Sequence, residues 1–271
     1  LKQHLQVGIL TPADKSGHYS RLDGENVADT SFLKSHALPV PVVRGMMLIR
    51  CNSLLRGHSG VRIELIQGIL TLLGKGMTPV VPLRGSISAS GDLCPLSYIA
   101  GMLEGNPDIF VRIDNHDDPI YLPADKALET AGVTPITFQA KEGLGITNGT
   151  ATSCAAACIA IHNASQLVLL ALLLTATGTE ALLGRAGNYH PFISNIRPHS
   201  GQKEAAHAIL SFLNGSTLSP DGSRAGETTG LAQDRYALRT APQWLSPYLE
   251  DLSLSRRQIA TELNSTTDNP L

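Results

Sequence analysis

The chain has 271 residues, of which 42% are hydrophobic and 4% aromatic, with 21 basic and 23 acidic side chains and a formal net charge of -2. That length is ample for a buried core in one large domain or two small ones. The near balance of charge gives no electrostatic case for nucleic acid or an anionic membrane as a partner.

In chain order, Leu1 to Leu5 open in amphipathic style without the apolar core or cleavage site of a secretory signal, so a cytoplasmic protein is expected. Pro39 and Pro41 precede a helical pattern of Val42, Val43, Met46, Met47, Ile49 and Leu54, which Gly57 and Gly60 end. A second helix is predicted from Val61 to Leu73, stopping at Gly74 or Gly76. Thr78 to Arg84 reads as extended because Pro79 and Pro82 exclude a helix. Asp92 is the candidate N-cap of a helix reaching Glu104, with Pro95 in its first turn. Ile109, Val111 and Ile113 alternate, and Ile120 to Leu122 return, which predicts a small β-hairpin. Its tip holds His116 beside Asp117, read as a polar turn and not a metal site, because no further ligands are spaced to complete a shell.

Asn148 to Leu183 reads as one long Ala- and Leu-rich helix. Its longest apolar run, Leu167 to Leu174, is too short to span a bilayer and predicts a buried helix in a bundle. Another helix fits Gln202 to Leu213, and Asn214 to Gly230 reads as a flexible segment without period. Helices resume near Leu231 and again from Ser246 to Asn264. The whole predicts a mainly α fold. Cys51, Cys94, Cys154 and Cys158 form no Cys-x-x-Cys pair and read as small buried residues, so neither a disulfide framework nor a metal is expected.

The stretch Gly85 to Leu96 carries the chemistry, centred on Ala89-Ser90-Gly91. If the amide nitrogen of Gly91 attacks the carbonyl carbon of Ala89, a five-membered ring closes. Loss of two waters, one taking the Ser90 hydroxyl, leaves 4-methylidene-imidazol-5-one, an electrophile that no unmodified side chain supplies. Gly91 lets the nitrogen approach without a Cβ in the way, Ala89 is small, and Ser90 carries the leaving hydroxyl. Such a group forms autocatalytically and needs no metal and no dissociable cofactor. Asp92 would put it at a helix N-terminus, whose dipole favours negative charge building on the ring.

Pro82 to Leu93 closely resembles the cofactor segment of the aromatic amino acid ammonia-lyases, in the fungal-like phenylalanine branch. Arg50 to Gly60, Lys141 to Thr150, Gln233 to Arg239 and Ser265 to Leu271 resemble further blocks of that family, in family order. The resemblance implies a long-helix bundle of the ammonia-lyase (aspartase-like) type, with a cofactor-bearing N-terminal region and the small β-hairpin. It divides the chain into a cofactor-loop region, 1–140, and a central helical bundle region, 141–271, truncated in the family pattern. It further implies loss of ammonia from L-phenylalanine to give trans-cinnamate, by a homotetramer that shares active sites between subunits.

Site residues follow from the same blocks. Gln233, Tyr236 and Arg239 are spaced by three, which on a helix puts an amide, a phenol and a guanidinium on one face. Taken alone this is an ordinary solvated face; the resemblance makes Arg239 the carboxylate clamp, with Gln233 and Tyr236 lining the site. Asn148 is a default helix N-cap, and the resemblance adds a place facing the cofactor and substrate. Leu93 and Leu144 match apolar positions near the substrate ring, where plain core leucines would look the same. The family's catalytic base, a Tyr in a Tyr-Gly-Val-x-Thr-Gly-Phe loop, is absent from these residues, so the isolated chain is expected to be inactive. The visible residues leave open an aminomutase, a histidine or tyrosine ammonia-lyase with the same cofactor, and a non-catalytic helical assembly domain.

Overall fold

The computed structural model describes residues 34–115, 118–219 and 233–266. The opening segment, the His116–Asp117 tip, residues 220–230 of the aperiodic segment, the resumption near Leu231 and the end of the last family block lie outside the described residues. The chain forms two compact units, one of Leu1–Ile159 with Ile259–Leu271 and one of Ala160–Gln258.

In the first unit, α1 (Val40–Leu54) begins as the two prolines predict and buries Val42, Val43, Met46, Met47, Cys51 and Leu54. The amphipathic α2 (Ile63–Gly74) buries Leu65, Ile66, Ile69 and Leu72 against the same core. Gly76, at φ +69°, then turns the chain into β1 (Met77–Pro79). The predicted hairpin exists as β2 (Phe110–Ile113) and β3 (Ile120–Pro123). It is larger than expected, because β1 pairs antiparallel with β2 and gives a three-stranded sheet in the order β1-β2-β3. Pro79 is tolerated because β1 is an edge strand.

The centre of this unit is α3 (Leu93–Glu104), buried at every position from Cys94 to Leu103. Gly105, left-handed at φ +70°, ends it, and the Asn106 amide returns to the Gly101 carbonyl at 2.9 Å. Two short helices follow, α4 (Ala124–Ala131) and α5 (Glu142–Thr147), and α5 packs on α3. The long helix α6 (Ala151–Ala181) starts here. Cys51, Cys94 and Cys154 are buried and unbridged; burial pushes the Cys51 thiol up to about 12 and is the main cause holding Cys154 at about 11.

In the second unit, α6 meets a 3-10 turn (Ala186–Tyr189), α7 (Pro191–Ile196), α8 (Ser200–Phe212), α9 (Tyr236–Arg239) and most of α10 (Ala241–Leu263). Its core gathers Leu172, Ala176, Tyr189, Ala205, Ile209 and Leu245. Gly201 is a requirement: a Cβ there would lie 2.4 Å from the Ser246 carbonyl oxygen of α10. One expectation fails. The Leu167–Leu174 run is not buried: Leu167 is 65% and Leu174 59% exposed. The core takes Leu172 and Ala176, and Leu167, Leu170 and Leu174 fall on the opposite face of the helix. The stretch from Glu142 to Ala181 is long and apolar enough to cross a membrane by length and composition; a helix covered by other helices has the same composition.

A nearly buried carboxylate ties α5 to the start of α2. Glu142 accepts from Arg62 Nε at 2.7 Å, Arg62 Nη2 at 2.8 Å, and the backbone amides of Arg62 and Gln139 at 3.1 and 2.7 Å. The Arg62 hydrogen bonds, with those amides, hold its carboxyl down at about 2. A depressed carboxylate stabilises the fold fully above its unfolded value and loses that contribution as pH falls through the folded value. Stability of the wild-type protein is therefore expected to fall between pH ~4.5 and ~2. Glu142→Gln should lower stability at neutral pH by roughly 2 kcal/mol and flatten that acid limb. Thermal unfolding of both proteins across pH checks this.

Candidate active site

The loop from Gly85 to Asp92 is a chain of unusual backbone conformations. Gly85 and Gly91 have φ of +117° and +108°, and Ser88, without a glycine's freedom, has φ +54°. Ser88 is held there because its hydroxyl donates to Asp92 Oδ1 at 2.9 Å. Ala89 and Ser90 are exposed at the crest, and Gly91 is half-buried. A Cβ on Gly91 would lie 2.9 Å from Asn148 Oδ1 and 3.0 Å from the Gly149 carbonyl oxygen, so only glycine fits. The backbone at the end of the tripeptide is thus pressed against the α5–α6 junction.

Asp92 makes that junction. Its amide donates to the Gly149 carbonyl at 2.7 Å. Its carboxylate, 3% exposed as a residue, accepts from the Ser153 amide and the Ser153 hydroxyl, each at 2.8 Å. Asp92 stands at the expected N-cap position of α3, yet its side chain makes no cap bond to that helix. Instead it caps α6, whose third residue is Ser153. The N-terminal end of α3, positive by its dipole, follows directly on the loop.

Asn148 departs from its expected role in a similar way. It closes α5 in an extended conformation (φ -95°, ψ 109°), three residues before the long helix starts at Ala151. Arg50 fixes it from behind. That side chain is 1% exposed and donates from Nε to the Ile146 carbonyl at 2.9 Å, and from Nη2 to the Gly145 carbonyl. Burial lowers its guanidinium to about 10, and the buried carbonyls at the C-terminus of α5 compensate the charge. Thr150 donates to Glu262, and Asn52 Nδ2 to the Leu263 carbonyl at 2.7 Å, so the end of α10 closes the same corner. Leu93 and Leu144 are half-buried on α3 and α5, which pack together. Sequence reasoning did not find Arg50 or the true partner of Asp92, because the partners lie 96 and 61 residues away.

The remaining predicted residues belong to the other unit and are described there. Gln233 is not on a helix with Tyr236 and Arg239, because α9 starts only at Tyr236 and Arg235 before it is extended (φ -55°, ψ 135°). Asp234 explains the break. Its carboxylate accepts from the Arg185 amide at 2.8 Å and from Asn188 Nδ2, which holds the chain off the helical path. Gln233 lines a cleft of about 220 Å³ with Asp234, Arg235, Asn188 and Leu182. Tyr236 and Arg239 do come together, the guanidinium carbon 5.2 Å from the ring centroid. Among the described residues, the buried Arg239 Nε has no acceptor. Among the described residues, no three His, Cys, Asp or Glu side chains are placed to hold a metal ion.

Comparison with known proteins agrees with this geometry in two steps. The fold is that of a helical lyase: the structure matches phenylalanine ammonia-lyase from the yeast Rhodosporidium toruloides with a TM-score of 0.87 at 42% identity, over 100% of this chain and 39% of that one. The aromatic amino acid lyase family matches residues 1–271, and the chain belongs to that family. A phenylalanine ammonia-lyase of Aspergillus lentulus is 55% identical over 100% of this chain. A phenylalanine aminomutase (L-beta-phenylalanine forming) of Talaromyces islandicus is 46% identical over 100% of it. The chain spans 37% and 36% of the length of these two relatives.

Gly91→Ala should prevent ring closure, because the new methyl collides with Asn148 and Gly149 and the positive φ disfavours alanine. Intact mass of the intact protein should then show no loss of two waters from the peptide holding Ala89 to residue 91, against that loss in the wild type.

Proposed function

We propose that the protein is a carbon–nitrogen lyase that deaminates L-phenylalanine to trans-cinnamate and ammonia, using an electrophile formed from Ala89, Ser90 and Gly91. The observation that carries this is the tripeptide itself, held on a strained loop where only glycine fits at its last position. The residues present fit a methylidene-imidazolone. Asn148 lies against Gly91, and the N-terminus of α3 supplies a positive dipole end beside the loop. Once formed, the ring supplies an electrophile that turns the substrate amine into a better leaving group.

The chain's own side chains bind and orient. Arg239 holds the substrate carboxylate with charge-assisted hydrogen bonds, and its buried Nε without a protein acceptor supports that role. Tyr236 stacks on the guanidinium and keeps its plane, and Gln233 offers an amide at the adjoining cleft. Leu93 and Leu144 give apolar surface for the aromatic ring, and Asn148 orients polar groups at the loop. Fixing the carboxylate decides which β-hydrogen is presented for removal. The proposal includes a homotetramer in the cytoplasm; the uncovered leucine face of α6 supports packing against further helices. The 46% identity to an aminomutase keeps one second reading, return of ammonia to the β-carbon.

Incubation of the intact protein with L-phenylalanine should release cinnamate and ammonia, and Ser90→Ala should abolish release. A β-amino acid as main product selects the mutase instead, and no product from a protein whose mass shows the ring sinks both. Arg239→Gln should raise KM at least tenfold, since a charged hydrogen bond contributes roughly 1.5–3 kcal/mol.

A further inference from the structure

We propose that Tyr189 is a positioning residue for the substrate carboxylate, holding the short helix α9 in place through the carbonyl of Leu238, the residue before Arg239. The proposal rests on Arg239 as the carboxylate-binding group. It adds a residue outside the Gln233–Arg239 block and outside the loop.

A four-residue helix does not hold itself. Nucleation fixes several dihedrals for very few hydrogen bonds, so α9 depends on outside contacts for its position. Among the described residues, three side chains make such contacts by hydrogen bonds. Asp234 ties the entry to Arg185 and Asn188. The Trp244 indole donates to the Ala237 carbonyl at 3.2 Å. Tyr189, 1% exposed, donates from its phenol to the Leu238 carbonyl at 3.1 Å. The last contact is the one nearest the working group. The Leu238 carbonyl and the Arg239 amide share one rigid peptide plane, so the phenol fixes the plane from which the Arg239 side chain departs.

The proton inventory sharpens the assignment. Tyr189 Oη also lies 2.8 Å from Thr179 Oγ1, and that hydroxyl reaches the Thr175 carbonyl at 2.8 Å. Two protons serve three contacts. Thr179 satisfies its own helix by donating to Thr175, as hydroxyls on helices do. The Tyr189 proton is then shared between Leu238 and Thr179. Removing the Thr179 hydroxyl leaves Leu238 as the only acceptor, whereas removing the Tyr189 hydroxyl releases it. Burial pushes the Tyr189 phenol up, which keeps the donor protonated at neutral pH. Arg239 Nε, buried with no protein acceptor, is the group whose direction this anchor sets.

The test is calorimetric binding to the intact protein with two probes, trans-cinnamate, which has the carboxylate, and 2-phenylethylamine, which lacks it. Steady-state kinetics on L-phenylalanine run beside it. Tyr189→Phe should weaken cinnamate binding and raise KM about tenfold, with kcat within about twofold, as loss of one anchoring hydrogen bond predicts. Binding of 2-phenylethylamine should not change, and Thr179→Val should leave both probes near wild type. Three results overturn the inference: unchanged cinnamate binding in Tyr189→Phe, equal weakening of both probes, or equal effects of the two substitutions. A wild type that binds cinnamate through Arg239 but releases no ammonia sinks the lyase reading alone, because the cinnamate arm still reads the anchor.

Discussion

The Asp92 carboxylate is the contact on which the site half of the first unit depends. It joins three segments: the strained loop through Ser88, the start of α3 through its own backbone, and the first turn of α6 through Ser153. A carboxylate at a helix N-terminus meets unsatisfied amides and a favourable dipole. Burial makes the same contact costly to break, because an unpaired buried charge is far less tolerable than a paired one. The Asp92 amide adds a bond to Gly149, and Gly91 is thereby pressed onto Asn148. The loop's strain is sustained by this node.

Around the node the fold supplies two buried charges that face backbone and not solvent. Arg50 satisfies the carbonyl end of α5, and Glu142 gathers amides and Arg62 at its other end. One short helix is thus held at its positive end by an anion and at its negative end by a cation, as its dipole requires. The residue after it, Asn148, gains a defined position without being packed on every side. In the second unit the same economy recurs on a smaller scale. Asp234, Tyr189 and Trp244 each hold backbone groups of a segment too short to fix itself. In both places a polar side chain, reaching from a distant part of the chain, holds the backbone of a short segment in place.

Much of the fold was legible in the residues. Pro39 and Pro41 set the start of α1, Gly74 marked the end of α2, and the alternation at Ile109, Val111 and Ile113 marked the hairpin. These are local signals, carried by φ restrictions and by a side-chain period of about 3.6 or 2. The Ala89-Ser90-Gly91 tripeptide was readable for the same reason, since its three residues are adjacent. Misplacements occurred where a distant partner competed with a local rule. Asp92 stands at the N-cap of α3 as expected, but its side chain caps α6. Gln233 looked one turn before Tyr236, and Asp234 pulls that turn straight. The leucine run looked buried, and its helix turns the opposite face to the core.

The sequence by itself determined a mainly α chain of the aromatic amino acid lyase family, the place of Ala89-Ser90-Gly91, and the residue types at 233, 236 and 239. Only the tertiary structure decided that a third strand joins the hairpin, that α6 takes its cap from Asp92, and that the Arg239 helix leans on Tyr189. The physical reason is range. A helix or a tight turn is fixed by neighbours within four residues, whereas a buried polar group takes whatever partner the folded chain brings within 3 Å of it.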